Sequence, residues 1–233
     1  MIPKLLHQIW LGEKPLPYTA ERESWLRHHP AWEHRLWTEA ELRADLELRE
    51  AANLLRQPAE RADILRLELL HRLGGVYVDA DIECLKPIDP LLDTDCFLCL
   101  LDSGRVSNAV IGCVPAHPLL ARAMQEVRPR TTYGPVDREG TGPLLLERVR
   151  QDFPEVTLLG PNTFYATERD QAEYAFHLSA KSWKDADGLR DDVLRLERDR
   201  TNLRAEVRAL QKRLQTGENP GPLRRLLRRA RLQ

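Results

Sequence analysis

The chain has 233 residues, of which 42% are hydrophobic and 30% charged, with a formal net charge of −1. This balance suits a soluble globular chain of one or two domains and argues against wholesale nucleic-acid binding. No apolar run approaches the ~20 residues of a membrane-spanning helix. The charge is uneven, however. Residues 189–233 hold 13 Arg/Lys against 6 Asp/Glu, a net of +7, which leaves −8 on residues 1–188. An acidic body with a basic end implies two parts with different partners.

Lys4–Trp10 reads as a first buried strand, stopped by Gly12, Pro15 and Pro17. It starts so close to Met1 that no secretory leader is expected, and a reducing cytoplasm fits best. Thr19–His28 patterns as a helix ended by Pro30, and His34–Trp37 as a short strand. Thr38 with Glu41 three residues on forms a capping box, predicting a helix there. Pro58 sits where a helix takes its first proline, and Gly74-Gly75 stops the helix spanning Pro58–Leu73. Val76–Val78, Phe97–Leu101, Ala109–Val114 and Val156–Leu159 have strand length and composition. His117–Val127 and Leu144–Asp152 pattern as helices. Strands and helices alternating over about 185 residues predict an α/β layer fold with a mostly parallel sheet.

From Leu189 the period changes. Leu189, Leu196, Leu203 and Leu210 recur every seven residues. Val193, Val207 and Leu214 fall four residues after three of them, with Arg200 in the remaining slot. This a/d seam predicts a C-terminal coiled-coil helix over 188–216 and a homodimer built through it. An amphipathic helix packed on its own domain is the alternative. Gly217–Pro222 breaks the pattern, and 217–233 reads as a basic amphipathic tail suited to peripheral contact with the inner face of an anionic membrane. The expected organisation is therefore a catalytic domain at 1–187, the coiled coil and the tail.

Cys84, Cys96, Cys99 and Cys113 are the four cysteines. Cys96 and Cys99 form a CxxC, but the run CFLCLL reads as a buried strand, and no second pair sits at zinc spacing. Buried thiols are expected.

The strongest chemical signal is Asp79-Ala80-Asp81, directly after a strand. Strand alternation points the two carboxylates the same way. At the C-terminal edge of an α/β sheet they face the crevice where ligands bind. Hard oxygen donors suit Mg²⁺ or Mn²⁺ and, through the ion, a phosphate. Alone, such a pair is more often a solvated loop. Asp63 and Arg66 lie three apart on the preceding helix, hence on one face. They are either a surface ion pair or, because the double glycine turns the chain sharply back, neighbours of Asp79 and Asp81.

Several segments carry a resemblance. ERADILRLELLHRLGGVYVDADI at 60–82 closely resembles the DXD sugar-nucleotide region of glycosyltransferase family 32. IPKLLHQIWLG at 2–12, PAWEHRLWTEAEL at 30–42, NAVIGCVPAHPLL at 108–120 and TGPLLL at 141–146 resemble further blocks of that family, in order. AFHLSAKSW at 175–183 is similar to its closing block, with Ser179 and Lys181 where the family tends to have Trp and Gly. The resemblance covers residues 2–185.

It implies a GT-A-type, Rossmann-like nucleotide-sugar-binding domain, a divalent metal (Mn²⁺ or Mg²⁺) and retention of anomeric configuration. Trp10 would stack on the donor base, and Asp63 and Arg66 would contact the donor sugar and phosphates. Asp79 would bind the ribose or sugar, and Asp81 the metal, with His177 completing its shell. Ser182 and Trp183 would cover the diphosphate. Asn108 joins the donor-binding set, although Asn108 and Asp102 can equally be acceptor contacts or turn residues around Ser103-Gly104. Without the resemblance, Trp10 reads as core and His177 as an ordinary histidine.

The implied activity moves a hexose from a nucleotide-sugar donor to a surface polysaccharide or lipid-linked glycan. Metal-dependent hydrolysis of a nucleotide sugar, or a non-catalytic coiled-coil scaffold, are the competing readings.

Overall fold

The computed structural model describes residues 1–42, 45–55, 57–133 and 141–179, the side chains of 128–133 excepted. The predicted coiled coil, the basic tail, the expected boundary at 187, and Ser182 and Trp183 lie outside the described residues.

The order along the chain is β1 (Leu5–Ile9), α1 (Thr19–His28), β2 (Glu33–Trp37), α2 (Arg49–Asn53), α3 (Pro58–Leu73), β3 (Gly75–Val78), β4 (Ile82–Cys84), β5 (Cys96–Leu100), β6 (Val106–Cys113), α4 (Pro118–Tyr133), α5 (Pro143–Val149), β7 (Thr157–Leu159) and β8 (Ala175–His177). Six strands form one sheet in the order β2-β1-β3-β6-β5-β7. β1 pairs in parallel with β2 and β3, and β5 with β7. β6 runs antiparallel to β3 and β5, so the sheet is mixed. The reason is local: β5 and β6 are joined by the tight turn at Ser103-Gly104, where Gly104 has φ 76 and its N–H bonds to Leu101 O. A hairpin forces antiparallel pairing, whereas a strand reached through a helix can run parallel.

Both sheet faces are covered, which is why β1, β3 and β6 are buried along their whole length. One apolar layer holds Ile64, Leu67, Leu70, Leu119, Ala123, Leu145 and their neighbours from α3, α4 and α5. The other holds Trp25, Ile82, Ile88, Phe97 and Phe164. A second, two-stranded sheet pairs β4 with β8 antiparallel, Ile82 opposite His177.

Pro58 opens α3 and Gly74 closes it, as the sequence predicts. Gly74 (φ 64) and Gly75 (φ 97) both occupy the left-handed region. A Cβ at Gly74 would lie 2.6 Å from Pro115 Cδ, and one at Gly75 only 2.4 Å from Leu5 O. The chain can therefore reverse from helix into strand with no loop. The lengths then match. From Arg66 to Gly74 the helix rises ~12 Å at ~1.5 Å per residue. From Gly75 to Asp79 the strand returns ~13 Å at ~3.3 Å per residue. Arg66 arrives level with Asp79.

The capping box at Thr38 does not start a helix. Glu41 does accept from the Thr38 N–H at 3.1 Å and from its hydroxyl, and Leu42 N–H bonds to Thr38 O, but among the described residues only this one turn forms. The helix in this region is α2, and its entry is fixed from outside. The buried Glu68 carboxylate on α3 accepts the N–H groups of Glu47 (2.7 Å) and Leu48 (2.8 Å), and Arg72 pairs with it at 2.7 Å.

All four cysteines are buried and free. Cys96 does not pair with Cys99. It lies opposite Cys113 across β5 and β6, and both thiols have donor atoms within 4.8 Å of His117. Burial pushes the Cys113 thiol well up, and His117 Nδ1 accepts from Leu119 N–H at the start of α4. This group reads as packed core, as the sequence predicts for its cysteines.

Candidate active site

β1, β2 and β3 run parallel, so their C-terminal ends share one edge of the sheet. That edge carries Trp10, Trp37 and the Asp79–Asp81 turn. Asp79 N–H bonds to Ala109 O at 2.8 Å and Ile82 N–H to Asp79 O at 3.3 Å, which fixes the turn against β6.

Arg66 is the hub. Its side chain is only 4% exposed, yet it holds a full charge. Nη2 pairs with Asp63 Oδ1 at 2.8 Å and Nη1 with Asp79 Oδ1 at 3.2 Å. Nη1 also donates to Asn108 O at 2.5 Å, and Nε to Ala62 O at 3.2 Å. The Tyr77 ring lies under the guanidinium, 4.2 Å from Cζ. Burial works against this charge, and Tyr77, Asp79 and Asp63 together more than offset it, so the pKa is raised. The guanidinium thus draws two carboxylates from different elements onto one spot.

Asn108 completes the cluster from β6. Its side-chain amide donates to Asp63 Oδ1 at 2.7 Å while its main-chain carbonyl takes the Arg66 bond. Burial raises the Asp63 pKa to about 6, against the pull of Arg66. Tyr77, two residues before Asp79 on the same strand, donates its hydroxyl to Asp79 Oδ1 at 2.7 Å. That oxygen therefore carries both Arg66 and Tyr77, which leaves the second for a ligand.

His177 arrives through the small sheet. Its pairing with Ile82 sets Nε2 3.3 Å from Asp81 Oδ1, and Leu178 N–H bonds to Asp81 O at 3.0 Å. Burial alone would lower the His177 pKa. The adjacent Asp81, with Asp79 beyond it, reverses this and raises it. Asp79, Asp81 and His177 offer ligand atoms that all lie within 4.8 Å of one another. Two carboxylates and an imidazole at this spacing fit a divalent ion such as Mn²⁺ or Mg²⁺.

Trp10 ends β1, with its N–H bonded to Trp37 O at 2.9 Å and its indole Nε1–H to Lys14 O at 2.7 Å. Its half-buried ring meets the Tyr18 edge at 5.9 Å. Asp102 stands in the exposed β5–β6 turn and accepts from the Thr167 hydroxyl at 3.1 Å. Ser179, where the closing block departs from the family pattern, has φ 52.

The structure therefore brings Asp63, Arg66, Asp79, Asp81, Asn108 and His177 together. Two further site residues went unread in the sequence. Tyr77 had a usable signal, since alternation along VYVD puts it on the Asp79 side. Tyr165, whose ring meets His177 edge-on at 5.6 Å and 75°, had none.

Residues 18–98 match the family model described as glycosyltransferase sugar-binding region containing DXD motif. Mannosyl phosphorylinositol ceramide synthase SUR1 of Saccharomyces cerevisiae is 32% identical over 164 residues, 66% of this chain and 43% of that protein. Inositol phosphoceramide mannosyltransferase 3 of Schizosaccharomyces pombe is 30% identical over 138 residues, 57% of this chain and 38% of that protein. This chain thus aligns with less than half the length of either relative. Among solved structures, the PaToxG glycosyltransferase superposes with a TM-score of 0.52 at 16% identity, covering 66% of this chain and 70% of that one. That likeness shows the fold, which is of the GT-A kind. The resemblance to DXD glycosyltransferases that the sequence carries is borne out.

Proposed function

We propose that this chain, which carries the DXD sugar-binding region of family 32-type glycosyltransferases on a GT-A fold, moves a hexose from a nucleotide-sugar donor to a glycan or lipid-linked acceptor with retention of configuration. The observation behind this reading is the convergence of Asp63, Arg66, Asp79, Asp81 and His177 at one sheet edge. The relatives' names, which speak of inositol phosphoceramide, favour a lipid-linked acceptor.

Asp79, Asp81 and His177 would hold a divalent ion, which would supply positive charge to the donor diphosphate. The chain's own residues do the rest. Trp10, at the end of β1, offers a half-buried aromatic face for a base. Asp63 is held by Arg66 and Asn108 and presents a carboxylate to sugar hydroxyls. Arg66 keeps Asp63 and Asp79 side by side despite their like charge. No carboxylate is assigned as a nucleophile on the far face of the sugar. A front-face route, in which the departing phosphate takes the acceptor proton, asks least of these residues.

As a matter of sequence, the heptads at 189–214 suit a homodimer and the basic residues of 217–233 suit peripheral contact with the inner, anionic membrane face. Flotation of the full chain and a 1–216 truncation with anionic liposomes tests this. Equal partitioning removes the tail as an anchor.

The activity is tested with the purified chain, Mn²⁺, a panel of nucleotide sugars and a lipid-linked acceptor. Acceptor-dependent release of nucleoside diphosphate, with a glycosylated product of unchanged anomeric configuration, is expected. Release at the same rate without acceptor would make the chain a hydrolase. No turnover of any nucleotide sugar would overturn the reading.

A further inference from the structure

Cys96, Cys113 and His117 pack as core, and all three are buried. Apolar packing alone does not account for an imidazole set against a pair of thiols. The strand pairing explains how the thiols meet. Val114 N–H bonds to Asp95 O at 2.8 Å, so Asp95 and Val114 form a hydrogen-bonded pair. The next pair inward, Cys96 opposite Cys113, is therefore of the non-hydrogen-bonded kind, in which side chains on one face approach most closely. His117 reaches the same spot through a strained turn. Ala116 has φ 57, in the left-handed region that a residue with a Cβ rarely enters. Its N–H is held by His71 O, near the end of α3, at 2.7 Å. Such strain persists where the surroundings over-determine it, and it recurs at functional sites.

Donor atoms of the three residues all lie within 4.8 Å of one another. With Zn–S of ~2.3 Å and Zn–N of ~2.0 Å, the donors of a tetrahedral zinc site stand roughly 3.3–3.8 Å apart. The cluster therefore needs to contract by no more than about 1.5 Å to close on an ion. Thiolate and imidazole donors suit a borderline-soft cation, Zn²⁺ above all, and not Mg²⁺. Burial keeps His117 in the neutral form that binds metal, and the carboxylates of Glu155 and Asp95 act on its ring, as outer partners of a metal-bound imidazole do. Asp95, one residue before Cys96, is exposed, which gives an ion a way in at the strand end. Cys113 pairs with Gly75 at the start of β3, whereas Asp79 follows the end of that strand. The cluster thus lies ~13 Å along the strand from the Asp79–Asp81 turn.

We infer that Cys96, Cys113 and His117 form a soft-metal site for Zn²⁺, separate from the Asp79–Asp81–His177 edge, and that the ion clamps β5, β6 and the start of α4 together. As the ion enters, two thiol protons leave, two Zn–thiolate bonds form, and the neutral imidazole supplies the third. The role is structural, since the clamp sits beside the Gly74-Gly75 reversal and away from the catalytic edge. It does not rest on the proposed function.

The test loads the full chain, purified under reducing conditions and stripped of metal, with Co²⁺ in place of Zn²⁺. Cobalt held by thiolates has strong near-ultraviolet charge-transfer absorption, which a site of carboxylates and imidazole lacks. One equivalent should produce this band, Zn²⁺ should bleach it, and Asp81→Asn should leave it unchanged. Cys113→Ala should abolish most of it, and His117→Gln should weaken Co²⁺ binding by at least about tenfold. In the Asp81→Asn background, Zn²⁺ at about 100 times its Kd should raise the folded-to-unfolded ratio about 100-fold, read as a higher melting temperature. Adding Cys113→Ala should remove that rise. A parent that shows no thiolate band, with all four thiols reactive in denaturant, overturns the site whether or not the variants fold. A band of full strength in Cys113→Ala also overturns it, because the cobalt would then sit on Cys84 or Cys99.

Discussion

The Tyr77 hydroxyl donates to Asp79 Oδ1 at 2.7 Å from two residues earlier on the same strand. One turn of the β pleat thus supplies both a carboxylate and the group that orients it. The ring of the same tyrosine carries the Arg66 guanidinium, so Tyr77 holds both partners of the Arg66–Asp79 pair.

Tyr77→Phe separates these two duties. The ring stays under Arg66, and only the hydroxyl is lost. A hydrogen bond to a charged group contributes about 1.5–3 kcal/mol, so kcat/KM should fall roughly 10- to 100-fold. Steady-state kinetics beside a thermal melt checks this. A melt that drops as far as the activity would make Tyr77 a core residue only.

Asp81→Asn removes one charge from the candidate ion site while keeping the shape. Turnover should fall by about 10²–10³, as for loss of a preorganised electrostatic group. The melting temperature should hold within a degree or two. Titration of Mn²⁺ into parent and variant is the direct measurement, and equal affinity would remove Asp81 as a ligand.

Asp63 gives a pH dependence of definite sign. Its folded pKa of about 6 lies above the ordinary carboxylate value, because burial outweighs Arg66. Activity that needs the ionised form should rise with pH through about 6, and Asp63→Asn should abolish that limb. Stability runs the other way. A raised acidic pKa contributes stability that is complete below the unfolded value and is lost as pH rises through about 6. Melting curves of parent and Asp63→Asn between pH 4 and pH 7 should converge at the acid end.

Glu68→Ala strikes the fold and not the site. It strands two backbone N–H groups and takes from the Arg72 guanidinium one of its partners, leaving it Asp45. The cost should be about 2–4 kcal/mol, since a buried network loses its common acceptor. Denaturant unfolding measures it. Glu68→Gln should recover part of the loss through its amide oxygen.

Trp10→Ala should weaken nucleoside diphosphate binding by ~1–3 kcal/mol, the usual contribution of base stacking on an aromatic. Calorimetry with unchanged affinity would return Trp10 to a structural role.

What could be read in advance follows the range of the interactions. α3 was legible to the residue because Pro58 and Gly74 act locally. Asp63, Arg66, Asp79 and Asp81 were legible because they sit within one helix–turn–strand unit. The helix expected at Thr38 failed for the opposite reason. Its caps are present, but the helix that forms nearby is α2, whose entry is set by Glu68, some twenty residues on, through the Glu47 and Leu48 N–H groups. The direction of β6 was hidden because an apolar run looks the same up or down a sheet. His177 was found only through the resemblance, since a β4–β8 pairing between distant segments leaves no periodic trace. Tyr165 left none at all, because nothing local marks its ring contact with His177 of β8.

The loop-free reversal at Gly74-Gly75 makes the spacing between Arg66 and Asp79 a matter of phase as well as distance. One residue inserted into α3 would swing Arg66 by about 100° around the helix axis. One inserted into β3 would turn Asp79 to the other face of the sheet. Neither error can be absorbed, because there is no slack segment between the two elements. Residues 63–81 therefore behave as a single indel-intolerant part, while length changes in the exposed Leu101–Arg105 turn leave the pairing of Arg66 with Asp79 in phase.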